Sequence, residues 1–538
     1  MGKRDTSGSP PALLIRALLN PAAFDHPVDN VRIIQTHISW VLLTGAFAYK
    51  IKKPVSLGFA DFSTLEKRRA ACQEEIRLNL RLASQLYIGV VPICGSVDAP
   101  VVNGAGEAIE YAVKMRQFPD ECRLDRFLEQ GRVHEEMVRQ LASEVADFHS
   151  RIEVAEPEQH VQESERRFSD IADNFEAVKA LFSDAARAEW LEELRQWSLD
   201  SLVVNGDHFR KRKRDGFVRE CHGDMHLANM AFVDDKITIF DALEFNPDLR
   251  WTDVMSEVAF VIMDLVHHAR PDLASIFLSS YLESTGDYDG LILLRHFLVY
   301  RSMVRAKVSA IRASQEDQNS EARKEALRET EVFLDLAGEC THYGASQFLL
   351  ITFGVSGSGK SLLSGQLVGP LGAIRIRSDI ERQRRTTPGE NRYSGFARQR
   401  TYARLESCAD KVLGAGFPAI IDATFLTRQH RKRFWDLANE HSAPFVILSL
   451  SAPRNVLAHR VTTRQAEGKD PSEADVSVLD RQLEEMEPLT PREKEFSVEI
   501  ESVVNADLAP VERFLRRAGR LPLGHRMRQY GSLPSEYQ

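Results

Sequence analysis

The chain has 538 residues, 43% of them hydrophobic and 27% charged, which allows two to four domains with ordinary buried cores. No apolar run approaches the roughly 20 residues that span a bilayer, and the opening MGKRDTSGSPPALLIRALL lacks the long apolar core and small-residue cleavage site of a signal peptide. Charge is uneven: residues 346–538 carry 28 Lys+Arg against 23 Asp+Glu, net +5, while residues 1–345 carry 41 against 55, net −14, which points to two bodies with different partners.

Residues 1–30 hold a short amphipathic stretch and Pro/Asn/Asp turns. From Val31 to Val55 the β-branched and aromatic run VRIIQTHISWVLLTG and then FAYKIKKPV predict two strands, with a turn at Gly45 and an end at Pro54. A helix is expected over about Thr64–Leu86, with Ile76, Leu80 and Ala83 on one stripe. GVVPICGSVDA and IEYAVKMRQF read as strands around a turn at Asn103–Gly106. Leu124 to about Leu202 is mostly helical. VRECHGD, ANMAFV and KITIFDAL form a cluster of short strands with a turn at Asp234–Asp235, and 252–340 is helical again. HFRKRKR (208–214) is expected as a solvated loop, and THYGAS (341–346) as the break between domains. A new rhythm starts at Gln347: QFLLITFGVSGSGKS, AIRIR, PAIID and PFVILSLS alternate with helices, the pattern of a parallel α/β sheet. The tail from about Arg513 is basic and turn-rich. Cys72, Cys94, Cys122, Cys221, Cys340 and Cys408 are scattered, with no CxxC pair and no Cys/His cluster. That spacing argues against structural zinc and a disulfide framework, and for a reducing cytoplasm.

Two constellations carry chemistry. Gly354-Val-Ser356-Gly357-Ser358-Gly359-Lys360-Ser361 matches GxxxxGK[ST], with an apolar strand before it and a helix after it. Such a loop points backbone N–H groups at phosphate, its lysine reaches the β/γ-phosphates and its last hydroxyl can ligate Mg²⁺. Asp379, at the carboxyl end of AIRIR, can take the proton of an attacking hydroxyl, and Arg382, one turn on, can hold an acceptor phosphate or the developing charge. Asp422 ends PAIID on the same sheet edge, where it suits a Walker-B-like, metal-side carboxylate. Arg460 and Arg464 share a helix face that suits phosphate neutralisation.

The second constellation is His222-Gly-Asp224, Asn229 five residues after that aspartate, and Asp241 at the next strand end, with Glu244 following. This is the spacing logic of the kinase H-R-D-x-x-x-x-N…D-F-G set. Asp224 would receive the acceptor proton, Asn229 and Asp241 would hold Mg²⁺ against ATP, and His222 would organise the loop. Lys50 in FAYK fits the phosphate lysine, with Lys52 on the same strand face as its rival. Glu75 is the expected ion-pair partner and Glu74 the alternative. His267–His268 lacks a ligand pattern and is set aside as a metal site.

GVSGSGKS, SDIER, DATF and HRVTTR resemble the small P-loop kinases, which include gluconate-kinase-like enzymes and the kinase domain of polynucleotide kinases. HGD and DALEF resemble the aminoglycoside-phosphotransferase family, although that family's phosphate-covering loop has no clear counterpart here. The order FAYKIKKPV, CHGDMHLANM, then a P-loop resembles bacterial proteins that fuse an aminoglycoside-phosphotransferase-like domain to an ATP-binding domain. The resemblance implies an α+β protein-kinase-like domain over 1–345, an α/β P-loop kinase domain with a parallel sheet over 346–512, and a basic tail over 513–538. It further implies a cytoplasmic, bifunctional enzyme that uses ATP and Mg²⁺ on small hydroxyl-bearing acceptors, with nucleic acid disfavoured and neither a membrane nor an obligate protein partner indicated. The alternative is one active P-loop kinase, for a small molecule or a polynucleotide 5′-hydroxyl, with the kinase-like domain as a ligand sensor.

Overall fold

The computed structural model describes residues 10–57, 60–156, 163–181, 184–344, 346–385, 395–467, 475–500 and 509–517. The chain separates into two compact units interleaved in sequence: Met1–Met137, Asp147–Pro157 and Asp215–Glu257 in the first, Val138–Ala146, Glu158–Arg214 and Val258–Gln538 in the second.

The first unit is built on a six-stranded antiparallel sheet in the order Arg32–Gln35, Ser39–Leu43, Phe47–Lys52, Ala108–Arg116, Tyr87–Ser96, Ala99–Val102. Three strands stand where the β-rich run before Pro54 predicted two. Thr36 breaks the first: its amide donates to the Ser39 carbonyl at 2.9 Å and its hydroxyl accepts from the Ser39 amide at 3.0 Å, closing a tight turn. The helix spans Leu65–Asn79, with Thr64 capping the Lys67 amide. It stops short of Leu86 because Asn79–Ala83 and Ala83–Leu86 turns redirect the chain into the strand Tyr87–Ser96, burying Ala83, Leu86 and Tyr87 with Cys72 and Val113. The hairpin Met230–Val233/Lys236–Ile239 turns at Asp234 and Asp235, both at positive φ, the geometry that matches strand twist in a two-residue loop.

The second unit joins a helical bundle to a five-stranded parallel sheet in the order Ile374–Arg377, Ala419–Asp422, Leu349–Phe353, Phe445–Leu450, Ser497–Ile500. Leu349–Phe353 is buried throughout, as the central strand of a sheet covered on both faces must be. Helices covering 258–344, read from the sequence with the first domain, group with this unit. The helix Pro271–Thr285 meets the strand Ile374–Arg377: Ser279 Oγ accepts from the Arg375 amide at 3.0 Å, and Glu283 pairs with Arg375 and Arg377. Tyr343, in the expected interdomain break, is buried with its ring 6.1 Å from that of Phe417.

Two local expectations are corrected. HFRKRKR lies in a helix, Gly206–Arg214, not a solvated loop, because Arg212 is 2% exposed and forks onto Asp287 at 2.7 and 2.8 Å. Residues 513–517 belong to the helix Ala509–Arg517, whose Val511 and Leu515, one turn apart, are buried in the sheet core. The remaining tail, 518–538, lies outside the described residues. Among the described residues, no helix is long and apolar enough to cross a membrane.

Candidate functional site

In the first unit the strand Phe47–Lys52 carries both candidate lysines inward. Lys50 Nζ donates to Glu75 Oε1 at 2.9 Å and also pairs with Asp241 Oδ1. Burial works against its charge, but Asp241, Glu75 and Glu244 outweigh it and hold Lys50 well above the ordinary lysine value. Lys52, the rival lysine, is fully buried between Glu75 Oε2, 2.5 Å away, and Glu244. Glu74 turns instead to Arg77 and Arg250.

The Asp224 loop is held from three sides. His222 is buried. Its Nε2 bonds the Phe240 carbonyl at 2.9 Å and its Nδ1 accepts from the Asp224 amide at 3.3 Å, and burial lowers its pKa, so the ring is neutral. Glu257, fully buried, accepts from the amides of Gly223 at 2.7 Å and His222 at 3.2 Å and from His149 Nε2 at 3.0 Å. Burial alone would raise its pKa, but the hydrogen bond from His149, the neighbouring His149 and His222 rings and the Gly223 amide lower it to about 2. Gly223 sits at φ +89°, where an added Cβ would lie 3.1 Å from Leu243 and 3.3 Å from Arg250. Asn229 Nδ2 donates to the Asp224 carbonyl at 3.0 Å and Oδ2 at 3.1 Å. The Met230–Ile239 pairing carries Asn229 beside Phe240 and so beside Asp241, whose φ is +64° and whose side chain is 39% exposed.

Sequence spacing did not reveal Glu257, His149 or Asn79; the last accepts from the Ala242 amide at 2.9 Å and so supports the Asp241 turn. Nor did it reveal that His149, Cys221 and Glu257 bring ligand-type atoms within 4.8 Å of one another, a buried cluster from segments remote in the chain. No disulfide joins the six cysteines.

In the second unit Gly354–Ser361 joins the central strand to the helix Lys360–Leu371. A Cβ on Gly354, at φ +151°, would meet the Leu450 carbonyl at 2.5 Å, so only glycine lets the loop start here. Lys360 Nζ donates to the Val355 carbonyl at 2.8 Å; burial lowers its pKa to about 8 against the pull of Asp422 and Asp379. Ser356, Gly357, Gly359, Lys360 and Ser361 line a cavity of about 290 Å³ that also takes in Asp379, Arg382, Asp422, Arg460 and Arg464. Ser358 Oγ is buried beside it without a hydrogen bond. Arg382 pairs with Asp379 at 2.9 Å, Arg460 donates to the Gly357 carbonyl at 3.3 Å, and Asp422 Oδ2 accepts from Ser364 Oγ at 3.2 Å. Sequence reading missed Gln482, whose Oε1 accepts from the Ser356 amide at 2.7 Å, and the stacked Tyr402–His430 pair, centroids 3.7 Å apart, on the cavity wall.

A family model described as an AAA domain matches residues 349–489. The protein named Uncharacterized protein Rv2004c, of Mycobacterium tuberculosis (strain ATCC 25618 / H37Rv), is 30% identical over 462 residues, covering 83% of this chain and 88% of its own. This chain belongs to the family of that mycobacterial protein. Among solved structures, a sugar kinase from Janibacter sp. HTCC2649 is 23% identical over 32% of this chain and 92% of its own, TM-score 0.24. A choline/ethanolamine kinase family protein from Mesorhizobium loti is 8% identical over 62% of this chain and 98% of its own, TM-score 0.36. At those scores it is the strand orders and site geometry above that carry the fold. The chain joins a unit built on an antiparallel sheet to one with a five-stranded parallel sheet, whose Gly354–Ser361 loop lies within the residues that the AAA-domain model matches.

Proposed function

We propose that the chain is a bifunctional phosphotransferase that moves the γ-phosphoryl group of ATP to hydroxyl acceptors at two sites, in a kinase-like domain over 1–345 and a P-loop domain over 346–512. What supports the reading is that Lys50 meets Glu75 and Asp241 while Asn229 meets Asp224 in one unit, and that Lys360, Ser361, Asp379 and Asp422 line one cavity in the other.

In the first site Lys50, oriented by Glu75, holds ATP phosphate oxygens, and Asp224 takes the acceptor proton. Asn229 and Asp241 fit a hard cation. The Asn229 amide nitrogen is committed to Asp224, which leaves its oxygen for the ion, and Asp241 adds a half-exposed carboxylate. In the second site the Gly354–Ser361 amides and Lys360 cradle phosphate, Arg460 and Arg464 neutralise it, Asp379 takes the acceptor proton and Arg382 steadies the acceptor side. Ser361 and Asp422 supply the oxygens for the cation there. Mg²⁺ in either site would neutralise phosphate charge. Both acceptors are small hydroxyl compounds.

The test is ADP formation by the full chain over a panel of hydroxyl compounds, comparing wild type, Asp224→Asn and Lys360→Ala. Each variant should lose turnover of its own set of acceptors, by about 10²–10⁴-fold for Asp224→Asn, and keep the other set. Loss of every turnover in Lys360→Ala alone, with Asp224→Asn unaffected, would leave the P-loop site as the one catalyst.

A further inference from the structure

Gln482 reaches the phosphate loop from outside it. Its Oε1 accepts from the Ser356 amide at 2.7 Å, and the residue lines the same cavity as Gly357, Gly359, Lys360 and Ser361. The helix that carries it, Val476–Glu485, is packed onto the loop: Leu479 and Leu483, one turn apart, join a cluster with Val355 of the loop and with Leu457 and Val461. Both ends of this helix are tied down. Asp475 accepts from the Val478 amide at 2.8 Å, Glu485 pairs with Arg398 at 2.7 Å, and just beyond it the Glu487 amide donates to the Leu426 carbonyl at 2.9 Å.

The bond to Ser356 fixes which end of the carboxamide faces the cavity. A backbone N–H can be met only by the oxygen, so Oε1 turns to Ser356 and the NH₂ group is left over. Among the described residues Gln482 Nε2 has no hydrogen-bond partner, and the side chain is half-buried on the cavity wall, so its donors remain for a ligand. The loop amides and the start of the helix Lys360–Leu371 suit the inner phosphates of a nucleotide. Ser356 stands at the opposite end of the loop, where a donor seated on it meets the outermost phosphate.

We propose that Gln482 is a catalytic residue of the P-loop site, its Nε2 donating to an oxygen of the γ-phosphoryl group as that group passes from ADP to the acceptor. The inference rests on the reading of this site as a phosphoryl-transfer site. In that step the acceptor oxygen bonds to the γ-phosphorus while the bond from that phosphorus to the β–γ bridging oxygen breaks. The electron pair of the broken bond leaves on ADP and the hydroxyl proton passes to Asp379. Charge is spread over the equatorial oxygens of the group in flight, and a donor already held in place stabilises it there without reorganising. Oε1 keeps the Ser356 amide throughout, so the donor works from a fixed base.

The test is calorimetric binding of ADP and Mg²⁺ to the full chain, with and without aluminium fluoride, which beside ADP imitates the phosphoryl group in flight. The component absent from Lys360→Ala belongs to the P-loop site. In the wild type, fluoride should tighten that component. Gln482→Met, which fills similar space without a donor, should lose about tenfold or more of the fluoride-dependent gain, while its affinity for ADP alone stays within about twofold. Gln482→Glu keeps an oxygen for the Ser356 amide but lacks the donor, and should lose the gain as well. Equal loss of both affinities in Gln482→Met would make Gln482 a prop of the loop and overturn the proposal, as would a gain unchanged in that variant or retained in Gln482→Glu. Those outcomes leave the kinase reading standing. A wild-type chain with no Lys360-dependent component, or with one that fluoride does not tighten, would overturn both.

Discussion

Lys50 and Lys52 stand two residues apart on one face of one strand, yet they meet different chemistry. Lys52 is locked between Glu75 and Glu244, whereas Lys50 reaches Asp241, whose carboxylate is half-exposed. At the other site the decisive lysine is Lys360, whose pKa burial lowers to about 8. A depressed lysine pKa means the empty site holds a neutral amine above pH 8, while phosphate binding needs the ammonium. Above that pH, binding then takes up a proton. Nucleotide affinity at the P-loop site should be flat below pH 8 and fall by up to about tenfold per unit above it, which calorimetric titration in buffers of different ionisation heat would read as proton uptake. Affinity unchanged between pH 7 and 9.5 contradicts the role given to Lys360.

At the scale of elements, the basic helix Gly206–Arg214 shows how a surface-looking run can hold a structural group. Removing Arg212 takes the guanidinium fork from the buried Asp287 carboxylate, so Arg212→Ala should lower stability by about 3–5 kcal/mol. Arg210→Ala, at an exposed pair, should change it by less than about 0.5 kcal/mol. Equal shifts in the denaturant midpoints of the two variants would contradict the buried-pair assignment. The same helix marks the limit of what was legible beforehand. Charge alone suggested solvent, because its partner Asp287 lies 75 residues on. The phosphate loop and the HGD set were legible because each is a local spacing: strand, glycines, lysine and helix in one case, aspartate and asparagine five apart in the other. Their supports were not. Glu257, His149, Asn79 and Gln482 act through bonds to backbone amides or to one another from distant segments, and no spacing in the chain encodes those meetings. Lys50 and Lys52 could not be separated either, since strand alternation puts both on one face and only the position of Glu244 distinguishes them.

For the whole molecule, the compact units and the functional parts follow different lines. Helices over 258–344 follow the HGD and Asp241 segments in the chain but group with the parallel sheet, so a cut at 345 would expose Ser279 and Glu283 and unseat Arg375 and Arg377 from their partners. The two sites are therefore best examined in the intact chain. The central claim is that one chain binds two nucleotides independently. Titration of the full chain with a non-hydrolysable ATP analogue in Mg²⁺ should give two sites per chain, falling to one in Lys360→Ala; a stoichiometry of one in the wild type would contradict it.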